Sequence, residues 1–242
     1  MTYCLGIILP SGLVLASDSR SNAGIDQVAR VCKLALFTAP QNRVIAILSA
    51  GNLATSQSVV SHLRQAAGSG EGDLLAAKTM FDVAGLVGDK LREVIDRDGK
   101  RVEAFGDPNA SFLVGGQIAG EPHRLFEIYS AGNFVEASDR MCFLQIGETK
   151  YGKPILDRVM SWKSSLDEAA KVALISFDAT LRSNLSVGLP IDLLRYETGS
   201  FSAANLTTLE ADNQYWRDLR DAYSAGLTAL IDQLPAPPAG AG

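Results

Sequence analysis

Strand-type and helix-type hydrophobic periods occupy separate blocks along this 242-residue chain, and that segregation constrains its fold more than any other feature. The first block is made of strands. Residues 2–9 (TYCLGIIL) and 13–17 (LVLAS) are apolar or β-favouring runs around Pro10-Ser11-Gly12, whose turn chemistry predicts a hairpin. A polar loop follows at 19–26 (SRSNAGID), then two further apolar runs at 31–37 and 43–49, with a turn at Gln41-Asn42. The period then becomes helical. From Asn52 onward Val60, Leu63 and Ala67 recur at helical spacing, and the glycine-rich stretch 68–72 ends that helix. Asp73 is read as the cap of a second helix, with a stripe of Leu74, Ala77, Phe81, Ala84, Leu91 and Ile95 and a stop at Gly99.

Strands return at 111–115, 124–129 and 141–146. A short helix is expected over about 151–160, and the capping box Ser165-x-x-Glu168 opens another that carries Ala170, Leu174, Phe177 and Leu181. A strand at 191–196 and a last helix, with Tyr215, Leu219, Tyr223, Leu227 and Leu230 on one stripe, complete the order. Blocks of this kind predict an α+β fold of antiparallel sheets with helical layers and argue against a βαβ parallel fold. No linker divides the chain, so residues 1–234 are read as one domain; the tail 235–242 (PAPPAGAG) has no core-forming residue and is expected to be disordered.

Composition narrows the partners. The net charge of −5 argues against a nucleic-acid or anionic-membrane surface. Three cysteines (Cys4, Cys32, Cys142) form no CxxC pair and suit a reducing compartment. There is no secretory pattern at the start and no apolar run near the ~18 residues needed to cross a bilayer, so the expected location is cytoplasmic.

Most chemical motifs fail on spacing. His62 and His123 have no second His or Cys at ligand distance, so no metal and no cofactor is expected, and two isolated histidines make a serine-type triad a weak reading. Gly115-Gly116-Gln117-Ile118-Ala119-Gly120 is neither a dinucleotide fingerprint nor a Walker loop and reads as a turn between strands. Asp167-Glu168 is explained by the helix dipole.

The N-terminus survives this elimination. Removal of Met1 would leave Thr2 with a hydroxyl and a free α-amine on one Cα, and a neighbouring amine is a recognised activator of a threonine hydroxyl. With a pKa of ~7.7–8.0 the amine is roughly a tenth to a fifth neutral at pH 7, against about one part in two thousand for an ordinary lysine. Asp18, at the end of the second strand, and Lys33, on the third, are embedded among apolar neighbours; three adjacent strands would bring them to Thr2. A half-buried Lys33 would need a carboxylate, and Asp18 is the natural one. Taken singly, each also has an ordinary reading, as an aspartate at a turn and a lysine on an exposed strand face.

The N-terminal TYCLGIILPSGLVLASDSR, Lys33-Leu34 and the LSAGN of residues 48–52 together resemble the proteasome β-subunit superfamily. The start MTYCLG, the loop DSRSNAG and the run RSNLSVGLPIDL are similar to the bacterial Anbu (ancestral β subunit) family in particular. The resemblance runs from Thr2 to about Tyr196. It implies an N-terminal nucleophile hydrolase, a four-layer αββα sandwich of two antiparallel sheets. It implies Thr2 as nucleophile with its own amine as base, Lys33 tuning the electrostatics of Thr2, Asp18 orienting Lys33, Gly51 giving a backbone N–H to the oxyanion, and Arg20 in a structural role. The implied activity is that of a threonine protease on peptide or amide bonds. The alternatives are an amidase for a small non-protein amide and a catalytically weak assembly scaffold. A homo-oligomer, either a ring or an open helical stack, is expected in each case, with an unfoldase partner left open.

Two departures stand out. Where proteasome β-subunits carry a serine in a Gly-Ser-Gly motif, this chain has Gly147-Glu148-Thr149; where they carry Asp-x-x-Ser-Gly, it has Asn184-Leu185-Ser186-Val187-Gly188. Those groups help to hold the N-terminal amine, a task left here to Glu148 or Ser186. Only Met1 stands ahead of Thr2, so exposure of the amine is expected from a methionine aminopeptidase rather than from propeptide cleavage.

Overall fold

In the computed structural model, which describes residues 1–22, 28–70 and 72–238, the predicted blocks become two stacked antiparallel sheets between helical layers. The N-terminal hairpin is β1 (Tyr3–Leu9) and β2 (Gly12–Asp18). A small ribbon, β3 (Arg20–Asn22) and β4 (Val28–Arg30), flanks residues 23–27; those, and with them much of the predicted polar loop, lie outside the described residues. Then come β5 (Leu34–Ala39), β6 (Arg43–Gly51), α1 (Leu53–Ala66), α2 (Met80–Val102), β7 (Ala110–Ile118), β8 (Arg124–Ile128), β9 (Phe134–Glu136) and β10 (Phe143–Gly147). The chain continues with α3 (Lys153–Val159), α4 (Leu166–Ser183), β11 (Ile191–Glu197), β12 (Leu206–Leu209) and α5 (Gln214–Ile231). One five-stranded sheet has the order β10-β1-β2-β11-β12 and the other β5-β6-β7-β8-β9.

Three cores separate four layers, and strand alternation assigns each residue to one of them. On β1, Tyr3, Leu5, Ile7 and Leu9 pack with Ala169, Ala173 and Phe177 of α4; Cys4 and Ile8 face the other sheet. On β6, Ile45 and Ile47 pack with Val59 of α1 and Val83 and Val87 of α2, whereas Val44, Ala46 and Leu48 face β1 and β2. β1 and β2 are buried on both faces along their whole length. Their near-continuous apolar sequence has this cause: a strand covered on both sides has no polar face to alternate with. Asp18, the one charged residue in the two strands, is therefore conspicuous.

Several predicted details change. Lys33 is not on a strand; it lies just before β5, and β5 belongs to the second sheet rather than sitting beside β1 and β2. Asp73 does not cap α2. Its carboxylate takes the amides of Gly68 and Leu75 in the preceding turn, and Thr79 forms a capping box with Asp82. Gly99 lies inside α2, so that helix runs past the predicted stop. Gly115 and Gly116 sit within β7, where the sheets approach closely, and the turn begins only after Ile118. Only part of the α5 stripe meets the core: Trp216 is the buried residue and Leu219 packs half-buried beside it, while Tyr215, Leu227 and Leu230 are exposed. That helix is held by Trp216 and by Arg220 Nε, 2.6 Å from the buried Asp178 of α4. In the predicted tail, residues 235–238 form neither helix nor strand, and 239–242 lie outside the described residues. Among the described residues no helix is long and apolar enough to cross a membrane.

Candidate active site

Thr2 stands at the mouth of the first sheet, at the head of β1, and its position is fixed from both sides. Its carbonyl accepts the Glu148 amide at 2.7 Å. The close approach needs a glycine at 147, with φ +85°, because a Cβ there would lie 2.0 Å from the Thr2 carbonyl oxygen. On the other side Tyr3 is wholly buried. Its ring stacks at a tilt on Phe177 at 4.6 Å, and its hydroxyl meets Ser176 Oγ at 3.1 Å and accepts from Gln145 Nε2 at 2.6 Å. Burial pushes the Tyr3 phenol up to about 12, so it stays neutral.

The Tyr3 amide leads to the charged centre. Asp18 Oδ1 accepts it at 3.1 Å and accepts Lys33 Nζ at 2.6 Å. Asp18 Oδ2 takes the amides of Arg20 and Gly188, both at 3.2 Å. Lys33 Nζ also donates to the Arg20 carbonyl at 2.6 Å. Asp18 is 0% exposed and Lys33 6%. Burial works to raise the Asp18 carboxyl above the ordinary range, and the Lys33 ammonium and the amides oppose it. A buried ion pair persists only when its remaining lone pairs and protons find partners; here both Asp18 oxygens accept two donors each, and Lys33 Nζ has two acceptors. Arg20 acts through its backbone, while its guanidinium ties down the Leu185 carbonyl at 2.7 Å.

The two sheets meet at this point. The Ser49 amide of β6 donates to the Lys33 carbonyl at 3.1 Å, and Cys4 Sγ lies 3.5 Å from the Ser49 carbonyl. Gly51 ends β6 with φ +100°; a Cβ there would lie 2.5 Å from the Asn109 carbonyl oxygen. Asn52 then caps α1, accepting the Thr55 amide at 3.1 Å. The Lys33 and Ser49 side walls enclose a cavity of about 250 Å³ against α1. Asp18 thus ties Lys33 to the amide of Tyr3, the residue bonded to Thr2, and Gly51 lies two residues beyond Ser49, the strand position that holds the Lys33 carbonyl.

Across 99% of its length the chain is 46% identical to a solved structure, Anbu (ancestral beta-subunit) from Yersinia bercovieri, covering all of that chain with a TM-score of 0.94. The chain belongs to the Anbu family. A helical assembly of the Anbu complex from Pseudomonas aeruginosa matches at 46% identity, 98% of both chains and a TM-score of 0.94. Anbu from Hyphomicrobium sp. strain MC1 matches at 44% identity, 98% of this chain and 100% of that one, with a TM-score of 0.88. No protein-family model matches the sequence, and no curated protein does. The fold is accordingly the proteasome-like N-terminal nucleophile hydrolase sandwich of Anbu.

The positions at which this Anbu chain departs from proteasome subunits also converge. Asn184 Nδ2 donates to Glu148 Oε2 at 2.7 Å, the Ser186 amide donates to Asn184 Oδ1 at 2.9 Å, and Lys150 Nζ is 3.3 Å from Glu148 Oε1. Met1 Sδ lies 4.0 Å from the same Asn184 amide. The sequence named Glu148 and Asn184 separately; no local pattern signals that two residues 36 apart form a pair. The Gly188 and Arg20 amides on Asp18 were also invisible, because backbone donors carry no side-chain signature. The two histidines do structural work. His62 Nε2 pairs with Arg97 at 3.1 Å; His123 Nδ1 meets Thr198 Oγ1 at 2.6 Å and its Nε2 meets the Leu9 carbonyl at 2.7 Å.

Proposed function

We propose that the protein is a self-assembling, proteasome-like threonine hydrolase of peptide or amide bonds, active once Met1 is removed. The observation that carries this reading is the buried Asp18, one oxygen of which binds both Lys33 Nζ and the amide of the residue next to Thr2. A charged lysine is thereby held rigidly close to the Thr2 hydroxyl and α-nitrogen. Its positive charge lowers the amine's affinity for a proton and stabilises an alkoxide-like Thr2 oxygen.

In the reaction, Thr2 Oγ1 attacks the carbonyl carbon and its proton passes to the Thr2 α-amine, directly or through one water. The tetrahedral oxyanion receives the Gly51 N–H. The protonated amine then returns its proton to the departing nitrogen, the C–N bond breaks, and Thr2 is left as an ester. Water, deprotonated by the same amine, hydrolyses the ester and restores the hydroxyl. An oxyanion donor contributes about 10²–10³ in rate. The Glu148–Asn184 pair is the candidate holder of the amine. Self-assembly is supported by the helical assembly of the P. aeruginosa relative, and a cytoplasmic location by the sequence composition.

The test begins with the intact mass of the purified protein, which reports whether Met1 is gone. A peptide epoxyketone, which needs hydroxyl and amine together, is then expected to add once per chain to the processed protein and not to Thr2→Ala. Equal turnover by Thr2→Ala would overturn the reading. The Glu148 carboxylate, where a proteasome subunit has a hydroxyl, favours a second reading of an assembly scaffold. That reading predicts an oligomer far above the 25.7 kDa chain mass with no covalent trapping.

A further inference from the structure

The cavity beside Lys33 has a charge pattern that the reaction itself does not use. Its walls include Cys32, Lys33 and Ser49 on one side and Gln57, Ser61 and Arg64 of α1 on the other. Among the described residues no carboxylate lines it. Of its two cations Lys33 is already paired, at 2.6 Å from both the Asp18 Oδ1 carboxylate oxygen and the Arg20 carbonyl. Arg64 is not. Among the described residues its guanidinium makes no hydrogen bond and no ion pair. Asp192, 3.7 Å from Cys32 Sγ, is outside the lining, and its oxygens are taken by Ser19 Oγ at 3.3 Å and Thr208 Oγ1 at 2.7 Å. A basic residue in the last turn of a helix is ordinary, since it complements the dipole. What separates Arg64 from that case is the cavity: an unpaired guanidinium, a carboxamide and three serines share one wall system with no acid to answer them.

The position of the cavity says what would enter it. Ser49 lies two residues before Gly51 on β6 and so shares its strand face. Resting on the hydrolase reading, a substrate carbonyl held at the Gly51 N–H directs the side chain of its own residue along that face into the cavity. We propose that the cavity accepts an acidic side chain, glutamate or aspartate, on the acyl side of the scissile bond, with Arg64 reading its charge. The planar guanidinium can meet a carboxylate through two parallel N–H donors, which a lysine at the same place could not do. The apolar Leu53 and Val60 at the walls suit the methylene stem of such a residue. Because Arg64 is exposed, the pair is partly screened, and a preference of about tenfold over the uncharged isostere is expected rather than a thousandfold one.

The experiment uses the full-length Thr2→Ala protein, so that binding is read without turnover. Acetyl-Ala-Ala-Glu-amide and acetyl-Ala-Ala-Gln-amide are titrated against it by ligand-observed NMR, which tolerates a large assembly. The glutamate peptide is expected to bind about tenfold more tightly, and Arg64→Gln is expected to erase the difference while leaving the glutamine peptide unaffected. Equal binding of the two peptides overturns the proposal. So does a preference that survives Arg64→Gln, or no binding by either peptide. A parallel assay on the processed wild-type protein separates this inference from the one beneath it. If glutamyl amides are bound selectively but never cleaved, the hydrolase reading fails and the assignment of Arg64 stands.

Discussion

Asp18 and Lys33 carry opposite charges into a place almost closed to solvent, and the consequences can be measured one residue at a time. Removing one partner leaves the other as an uncompensated buried charge, which typically costs about 3–5 kcal/mol. Asp18→Ala is therefore expected to unfold at markedly lower denaturant concentration. The double replacement Asp18→Leu with Lys33→Met removes both charges and keeps apolar volume; it is expected to be less destabilised than Asp18→Ala alone while remaining without turnover. A double variant less stable than the single one would show that the pair stabilises the fold beyond neutralising itself. Gly51 offers a second residue-scale test. Its φ of +100° and the 2.5 Å approach of the Asn109 oxygen leave no place for a methyl group. Gly51→Ala is expected to lose about 1–3 kcal/mol and to displace the amide assigned to the oxyanion. Thermal melting and epoxyketone trapping of the same sample read both effects. Thr2 and Asp18 were legible by type, a threonine behind the initiator Met1 and a carboxylate ending an apolar run, whereas Gly51 was reached only through the family resemblance. Lys33 was legible by type but not by place.

Secondary-structure elements were read well where a strong period or a cap marked them. The Ser165–Glu168 capping box is present as predicted. The Thr79–Asp82 box was missed, since aspartate in place of Glu or Gln at the third position weakens the pattern. Thr79→Ala is expected to cost about 1 kcal/mol, a cap's usual worth, and to be seen as a lower denaturation midpoint with unchanged slope. β9 and β12 escaped notice because they are only three and four residues long, β9 half-buried and β12 largely exposed, too short for an alternating pattern to show. A pH-dependent contact also belongs to this scale. His123 follows β7 and clips the end of β1, with Nε2–H donating to Leu9 and Nδ1 accepting from Thr198. Burial holds its pKa below the ordinary value, so the folded protein keeps the ring neutral while the unfolded chain takes up a proton. Stability is therefore expected to fall as pH drops below about 6.5. Denaturation midpoints at pH 7.5 and 5.5 should differ less in His123→Gln than in the parent; an unchanged gap would place the dependence elsewhere.

The whole molecule depends on the fit between its two sheets. Leu15 of β2 is fully buried between them, and its methyls lie 3.1 Å and 3.2 Å from where a Cβ on Gly115 would be. Leu15→Ala is expected to cost about 2–5 kcal/mol, because two sheets held by the rest of the core cannot collapse around a single missing side chain. If the stacking also aligns the site, the same variant should be trapped more slowly by an epoxyketone even under conditions where it is fully folded. The sequence by itself determined the α+β class, the hairpin at the start and most of the strands and helices, because these follow from periodicity and turn chemistry, and it singled out Thr2, Asp18 and Lys33, the residues on which the proposed hydrolase reading rests. Only the tertiary structure decided that Lys33 reaches Asp18 from the opposite sheet, that Glu148 and Asn184 meet beside Met1, that Arg64 faces a cavity unpaired, and that much of the α5 stripe stays exposed. Those are contacts between segments distant in the chain, and a local pattern of side chains records what each segment buries without recording which other segment it is buried against.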